Sequence, residues 1–95
     1  MVRSPVQCER TVRIVNAEGL HARPCHAVAS AAQGFQSELA VSCEGRQVNG
    51  KSILELMTLC AAQGSVLEFV GRGSDAEALV TALARLVEAG FEEQG

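Results

Sequence analysis

The stretch SVLEFVGRGSDAEALVTALARLVEAG, residues 65–90, changes its hydrophobic period half-way along. Up to Val70 the residues alternate, Leu67 and Phe69 against Val66, Glu68 and Val70, the two-residue period of a strand buried on one face. From Leu79 the apolar residues recur as Leu79, Val80, Leu83, Leu86 and Val87, the stripe of an amphipathic helix. Ser74 with Glu77 three residues on reads as a capping box that opens this helix, and Gly90 ends it.

The same two periods recur upstream. Residues 10–16, RTVRIVN, set Val12 and Ile14 against Thr11 and Arg13, a strand preceded by a loose end over residues 1–8. Cys25, Val28, Ala29 and Ala32 form a helical stripe that Gly34 stops. Residues 37–43 alternate again, with Leu39, Val41 and Cys43 on one side. Glu44-Gly45 then turns the chain into a short strand at residues 46–49. Residues 52–59 read as a short helix. The order is β-α-β-β-α-β-α, which implies an α+β fold: one antiparallel sheet with its helices packed on a single face. Ninety-five residues, 47% of them hydrophobic, hold one such core. The expected division is a flexible extension at 1–9, one domain at 10–91 and a tail at 92–95.

Eight basic against 11 acidic side chains, a net charge of −3, lack the dense positive charge that nucleic acid requires. There is no basic amphipathic face for a membrane surface, no signal-peptide pattern and no apolar run of spanning length. A soluble cytoplasmic protein is expected, without membrane insertion. The four cysteines never form the close pairs of zinc or redox motifs, and are read as free, mostly buried thiols.

Only two histidines and two prolines occur, and GLHARPCH, residues 19–26, holds both histidines and one proline. The Cys25 stripe puts His21 at the helix start, where unpaired backbone N–H groups and the positive end of the dipole suit an anion such as phosphate. Arg23 adds a planar guanidinium able to grip that anion with two hydrogen bonds. Pro24 stiffens the first turn without losing a helical bond. The residues alone leave two readings of His21 open: a phosphoryl acceptor on a ring nitrogen, or an ordinary exposed histidine at a helix entry. A pairing of His21 with Cys25 as nucleophile or metal ligands has the spacing, but Cys25 belongs to the core stripe and no third ligand is near. His26 falls on the outer face with Ser30 and Gln33.

A second signal lies in QVNGKSILELMTLCA, residues 47–61, where Ser52 stands as N-cap with Glu55 as its capping-box partner. Leu56 and Leu59 can face the core together, which leaves Ile53, Leu54 and Met57 as an apolar patch. Such a patch is either a docking surface or a second core contact.

Together, GLHARPCHAVASAA and VNGKSILELMTLCA resemble the HPr family, the histidine phosphocarriers of the bacterial phosphoenolpyruvate-dependent phosphotransferase system, over residues 10–91. The resemblance implies an open-faced β-sandwich of four antiparallel strands with three helices on one face. It implies that His21 takes phosphate from phosphorylated enzyme I and hands it to IIA components, with Arg23 stabilising the phosphate. It also implies that Ser52 is the site used by HPr kinase/phosphorylase, and that Ile53, Leu54 and Met57, with His26, form the docking face. Cys25 and Cys60 stand where relatives have small residues, and the lysines that several relatives carry on the outer face of the first helix are replaced by His26, Ser30 and Gln33. A monomeric carrier without cofactor or metal is expected, and not a stand-alone enzyme, since one histidine and one arginine supply no acid–base pair. The alternative is a regulatory module of a nitrogen or carbon control relay uncoupled from sugar transport.

Overall fold

The computed structural model describes residues 6–92. Residues 1–5 of the expected extension (1–9) and residues 93–95 of the expected tail (92–95) lie outside the described residues. Four strands, β1 (Gln7–Arg13), β2 (Glu38–Cys43), β3 (Arg46–Asn49) and β4 (Val66–Arg72), form one antiparallel sheet in the order β1-β4-β2-β3. The helices α1 (Ala22–Gln33), α2 (Ile53–Met57) and α3 (Ala76–Glu88) lie on one face, and a short 3₁₀ turn, Gly90–Glu92, closes the described chain. Among the described residues no helix is long and apolar enough to cross a membrane.

The alternation read from the sequence sets the layers. Val12, Leu39, Val41, Cys43, Leu67 and Phe69 point inward and are buried, while their neighbours Thr11, Arg13, Glu38 and Glu68 face solvent on the open side. Cys25, Val28, Ala29 and Ala32 of α1 and Leu79, Val80, Leu83 and Val87 of α3 complete the core from above. Glu44 and Gly45 take φ of 50° and 83°, the doubly left-handed turn that matches the twist of a two-residue hairpin.

Three local readings are corrected. β1 starts at Gln7 and not after residue 8, because Gln7, Cys8 and Glu9 pair with Arg72, Gly71 and Val70. The residue that precedes α3 is Asp75, and no Ser74–Glu77 box forms. The Asp75 carboxylate instead receives the backbone N–H groups of Gln36 and Ser37, each at 2.9 Å, and the Ser37 hydroxyl. Asp75 therefore clasps the α1–β2 connection to the start of α3. Third, the thiols are not mostly buried: Cys25 and Cys43 are, Cys8 is half-buried, and Cys60 is exposed at a left-handed position, φ 50°.

The Ser37 hydroxyl, and then the Gln36 and Ser37 N–H groups, hold the Asp75 carboxyl below its ordinary range. A carboxyl depressed by folding contributes stability that is fully present above its unfolded-state pKa, ~3.9, and is lost as pH falls through the lower folded value. Asp75→Asn should consequently melt several degrees below the parent at pH 7, and the gap should narrow at pH 3. Thermal midpoints of both proteins at the two pH values check this. An equal gap at both would detach the carboxylate charge from the clasp.

Candidate functional site

The site is assembled where the β1–α1 loop meets the start of α1. Asn16 and Gly19 close the loop on themselves, with Gly19 N–H donating to Asn16 O at 3.2 Å and Asn16 Nδ2 to Gly19 O at 2.9 Å. Leu20 N–H donates to Ala61 O at 2.8 Å, which ties the loop to the segment after α2. Gly19 has φ 67° and is pressed against the Ala61 carbonyl and the Ala62 backbone, so the chain passes where no side chain fits.

His21 is the N-cap of α1, in extended conformation, and its side chain makes no capping bond. The first helical bond runs from Cys25 N–H to His21 O at 3.0 Å. The N–H groups of Ala22 and Arg23 precede it, and Pro24 has none to lose. Pro24 and Cys25 are buried and anchor the turn, whereas Arg23 is exposed and His21 has 31% of its side-chain surface open. The Nε2 atom of His21 lies 3.4 Å from Glu18 Oε2.

Cys25 is not poised as a partner of His21. Burial pushes its thiol up to about 11, and its weak sulfur contact is to Leu20 O at 3.9 Å. His26 is exposed on the outer face of α1 together with Ser30 and Gln33.

α2 runs back along α1. It starts beside the end of α1, where Gln33 Nε2 donates to Lys51 O at 3.2 Å and Lys51 Nζ to Phe35 O at 2.9 Å, and its exit returns to the loop before His21 at Ala61. Ser52 caps α2, its Oγ accepting Glu55 N–H at 3.2 Å. The capping box is completed differently from the expected form. Glu55 Oε1 accepts Asn49 N–H at 3.0 Å, because Ser52 N–H is taken by Asn49 O at 3.1 Å. At the other end, Arg46 Nη1 donates to Thr58 O at 2.7 Å and braces the last turn.

Leu54, 78% exposed, and Met57, 41% exposed, form the apolar patch on α2. Ile53 does not share it fully, being half-buried against the core. Cys60, exposed, borders Met57 through a 3.7 Å contact of its Sγ with Met57 O. The start of α1, with His21 and Arg23, therefore lies toward the exit of α2, and Ser52 toward the end of α1, with the exposed Leu54 and Met57 on the α2 helix that runs between them. Sequence reasoning passed over Glu18, Lys51 and Arg46. Their roles arise from contacts between segments, and only the position of Glu18 in the loop before His21 gave any local signal.

The model of the PTS-HPr family, described as the PTS HPr component phosphorylation site, matches residues 8–89. The chain belongs to the HPr family. The phosphocarrier protein HPr of Treponema pallidum is 40% identical over 85 residues, 90% of this chain and 97% of that one. The phosphocarrier protein NPr of Shewanella violacea is 35% identical over 90% of this chain and 93% of its own. Among solved structures, HPr-C-His from Thermoanaerobacter tengcongensis superposes with a TM-score of 0.87 at 38% identity, covering 93% of this chain and 99% of that one. HPr proteins are phosphocarriers of the phosphotransferase system, and membership assigns this chain to that class. The four-stranded open-faced sheet with three helices, expected from the sequence, is the fold seen here.

Proposed function

We propose that the chain carries a phosphoryl group on His21, taken from phosphorylated enzyme I and passed to IIA components of sugar uptake. The observation that carries this reading is the placement of a partly exposed imidazole at the N-cap of α1, beside the Ala22 and Arg23 N–H groups, with an exposed arginine, Arg23, in the first turn. The lone pair of a ring nitrogen attacks phosphorus, and the bond from phosphorus to the donor nitrogen breaks with its electron pair left on the donor ring. The backbone donors are in place before transfer, and the Arg23 fork reaches the phosphoryl oxygens from the first turn of α1. An exposed site serves a carrier, since donor and acceptor approach the same atom in turn.

Arg23→Lys keeps the charge and loses the planar fork. Its expected effect is a fall on the order of ten-fold in the enzyme I-dependent phosphorylation rate, with an unchanged thermal midpoint because the side chain lies outside the core. A wild-type rate would remove the two-bond grip from the account.

Docking is assigned to Leu54 and Met57, with Ile53 at the margin and His26 on the adjoining face of α1. Ser52 is the proposed regulatory phosphorylation site, for a kinase of the HPr kinase/phosphorylase type. Ser52 sits beside the far end of α1, a helix about 18 Å long. Across most of that length, unit charges in water interact by only ~0.3 kcal/mol, so a charge at Ser52 barely reaches His21 directly. Its effect falls on the partner that covers the patch. Ser52→Asp should slow phosphorylation of His21 by about ten-fold through desolvation or like-charge contact in the complex. Aspartate can still cap Glu55 N–H, though the nearby Glu55 carboxylate offsets part of the gain, and stability should stay within about 1 kcal/mol of the parent. An unchanged rate would take Ser52 off the docking surface.

A second reading, a module of a nitrogen or carbon control relay, is favoured by the likeness to the protein named NPr. Transfer from the phosphorylated protein to purified IIA components separates the two. Rapid transfer to a sugar-specific IIA supports the first, and transfer only to a regulatory IIA supports the second.

A further inference from the structure

Resting on the reading of Leu54 and Met57 as the docking patch, we infer that Arg46 is a positioning residue that holds the exit of α2, and with it Met57, in the form a partner binds. α2 has five residues, little more than one turn, so its own hydrogen bonds cannot keep it folded and its ends decide its shape. The start is capped by Ser52 and tied to β3 through Glu55 and Asn49. The last turn carries no basic residue of its own to meet the negative end of the helix dipole. Arg46 supplies that cation from β3, its Nη1 donating to Thr58 O at 2.7 Å.

The gripped carbonyl lies one residue beyond Met57. Three residues further on, Ala61 O accepts Leu20 N–H at 2.8 Å, and between the two Leu59 is buried. The exit is thereby pinned to β3 at one end and to the loop before His21 at the other, with Leu56 and Leu59 inward and Met57 and Cys60 outward. The backbone bonds of this exit run from Thr58, Leu59 and Cys60 N–H to Glu55, Leu56 and Met57 O, at 3.0, 3.1 and 3.3 Å, each spanning three residues. Bonds of that span have poorer geometry than α-helical ones and open readily once their anchor is removed. A frayed exit must be reordered before a partner can cover Met57, so the loss falls on binding. The chemical step is spared, because the loop before His21 is held by the Asn16–Gly19 bonds and the Leu20–Ala61 bond and not by Arg46.

Three variants test the brace. Arg46→Ala removes the donor; Arg46→Lys keeps the charge and an N–H donor; Arg13→Ala deletes a matched exposed arginine of β1, whose Nη1 donates to Gly64 O at 2.8 Å. Each is followed by amide hydrogen exchange of the free protein, and by the KM and kcat of enzyme I with the variant as phosphoryl acceptor at low and at high salt. In Arg46→Ala, exchange at Thr58, Leu59 and Cys60 should quicken roughly three- to ten-fold and KM should rise by a similar factor, the scale of one exposed hydrogen bond, with kcat within about two-fold of the parent. Arg46→Lys should recover most of both effects, and Arg13→Ala should match the parent. The ratio of KM in Arg46→Ala to that of the parent should be the same at both salt concentrations, since the bond acts inside the chain. A ratio that falls to one at high salt would make Arg46 a charge contact with the partner and overturn the positioning role. Parental exchange at the three amides would overturn the brace itself, and a parental KM would overturn its assignment to docking. If Leu54 and Met57 were not the docking patch, Leu54→Ala and Met57→Ala would also leave KM at the parental value, a result independent of the exchange measurement.

Discussion

His21→Ala should reduce enzyme I-dependent labelling to background while leaving the fold intact. The imidazole at this N-cap makes no capping hydrogen bond, so its removal costs α1 no side-chain cap. Serine, threonine, asparagine or aspartate caps lose about 1 kcal/mol on replacement by alanine because they do make such a bond. A total loss of labelling at an unchanged thermal midpoint therefore isolates chemistry from stability. His26→Ala is the paired variant. His26 lies on the outer face of α1, away from the Ala22 and Arg23 N–H groups, so that variant should still take up one phosphate per chain, with a moderate change of rate where His26 meets a partner. Undiminished labelling of His21→Ala, or loss only in His26→Ala, would reverse the assignment.

The second large effect is expected at Gly19. A Cβ there would collide with the Ala61 carbonyl oxygen and stand 2.8 Å from Ala62 Cα, on a backbone with φ 67°. The left-handed conformation alone costs an alanine roughly 1–2 kcal/mol. Collision with main-chain atoms adds to that, because backbone held by the Leu20 N–H to Ala61 O bond cannot turn aside as a side chain would. Gly45 provides the comparison: its φ is 83°, but a Cβ built on it meets nothing within 4 Å. Gly45→Ala should thus lower the midpoint by roughly 4–16 °C, at about 4–8 °C per kcal/mol for a domain of this size. Gly19→Ala should exceed ~3 kcal/mol and lower it clearly further. It should also slow phosphotransfer below the midpoint, since the start of α1 is displaced from the segment that follows α2. Equal losses in the two variants would mean that backbone strain alone operates at Gly19.

What was legible in the sequence follows the range of the interactions. The hairpin at Glu44-Gly45 and the stripes of α1 and α3 are encoded within a few residues, so period and turn chemistry reveal them. The Ser52 cap is equally local. The start of β1 was missed because Gln7, Cys8 and Glu9 show no apolar alternation and become a strand only by pairing with β4. The wrong cap for α3 has the same origin: Asp75 is engaged by Gln36 and Ser37, far away in the chain, and no spacing around residue 75 announces them. Cys60 sits in an apolar run and reads as buried, but its left-handed backbone at the exit of α2 turns it outward. Helical geometry and the resemblance both put Ile53 on the patch, whereas the core beneath α2 reaches far enough to cover part of it. At the site, His21 and Arg23 were readable from the helix start, and the Glu18 contact required the loop to be folded.

The central claim is that His21 is the atom-level station of the phosphoryl group. The most direct measurement is to phosphorylate the nitrogen-15-labelled protein with phosphoenolpyruvate and catalytic enzyme I, and to locate the phosphorus by its coupling to a ring nitrogen. One acid-labile phosphate per chain is expected, coupled to a ring nitrogen of His21 and removed on addition of a competent IIA. Phosphate coupled to His26, or held in an acid-stable ester on serine or threonine under these conditions, would contradict the account.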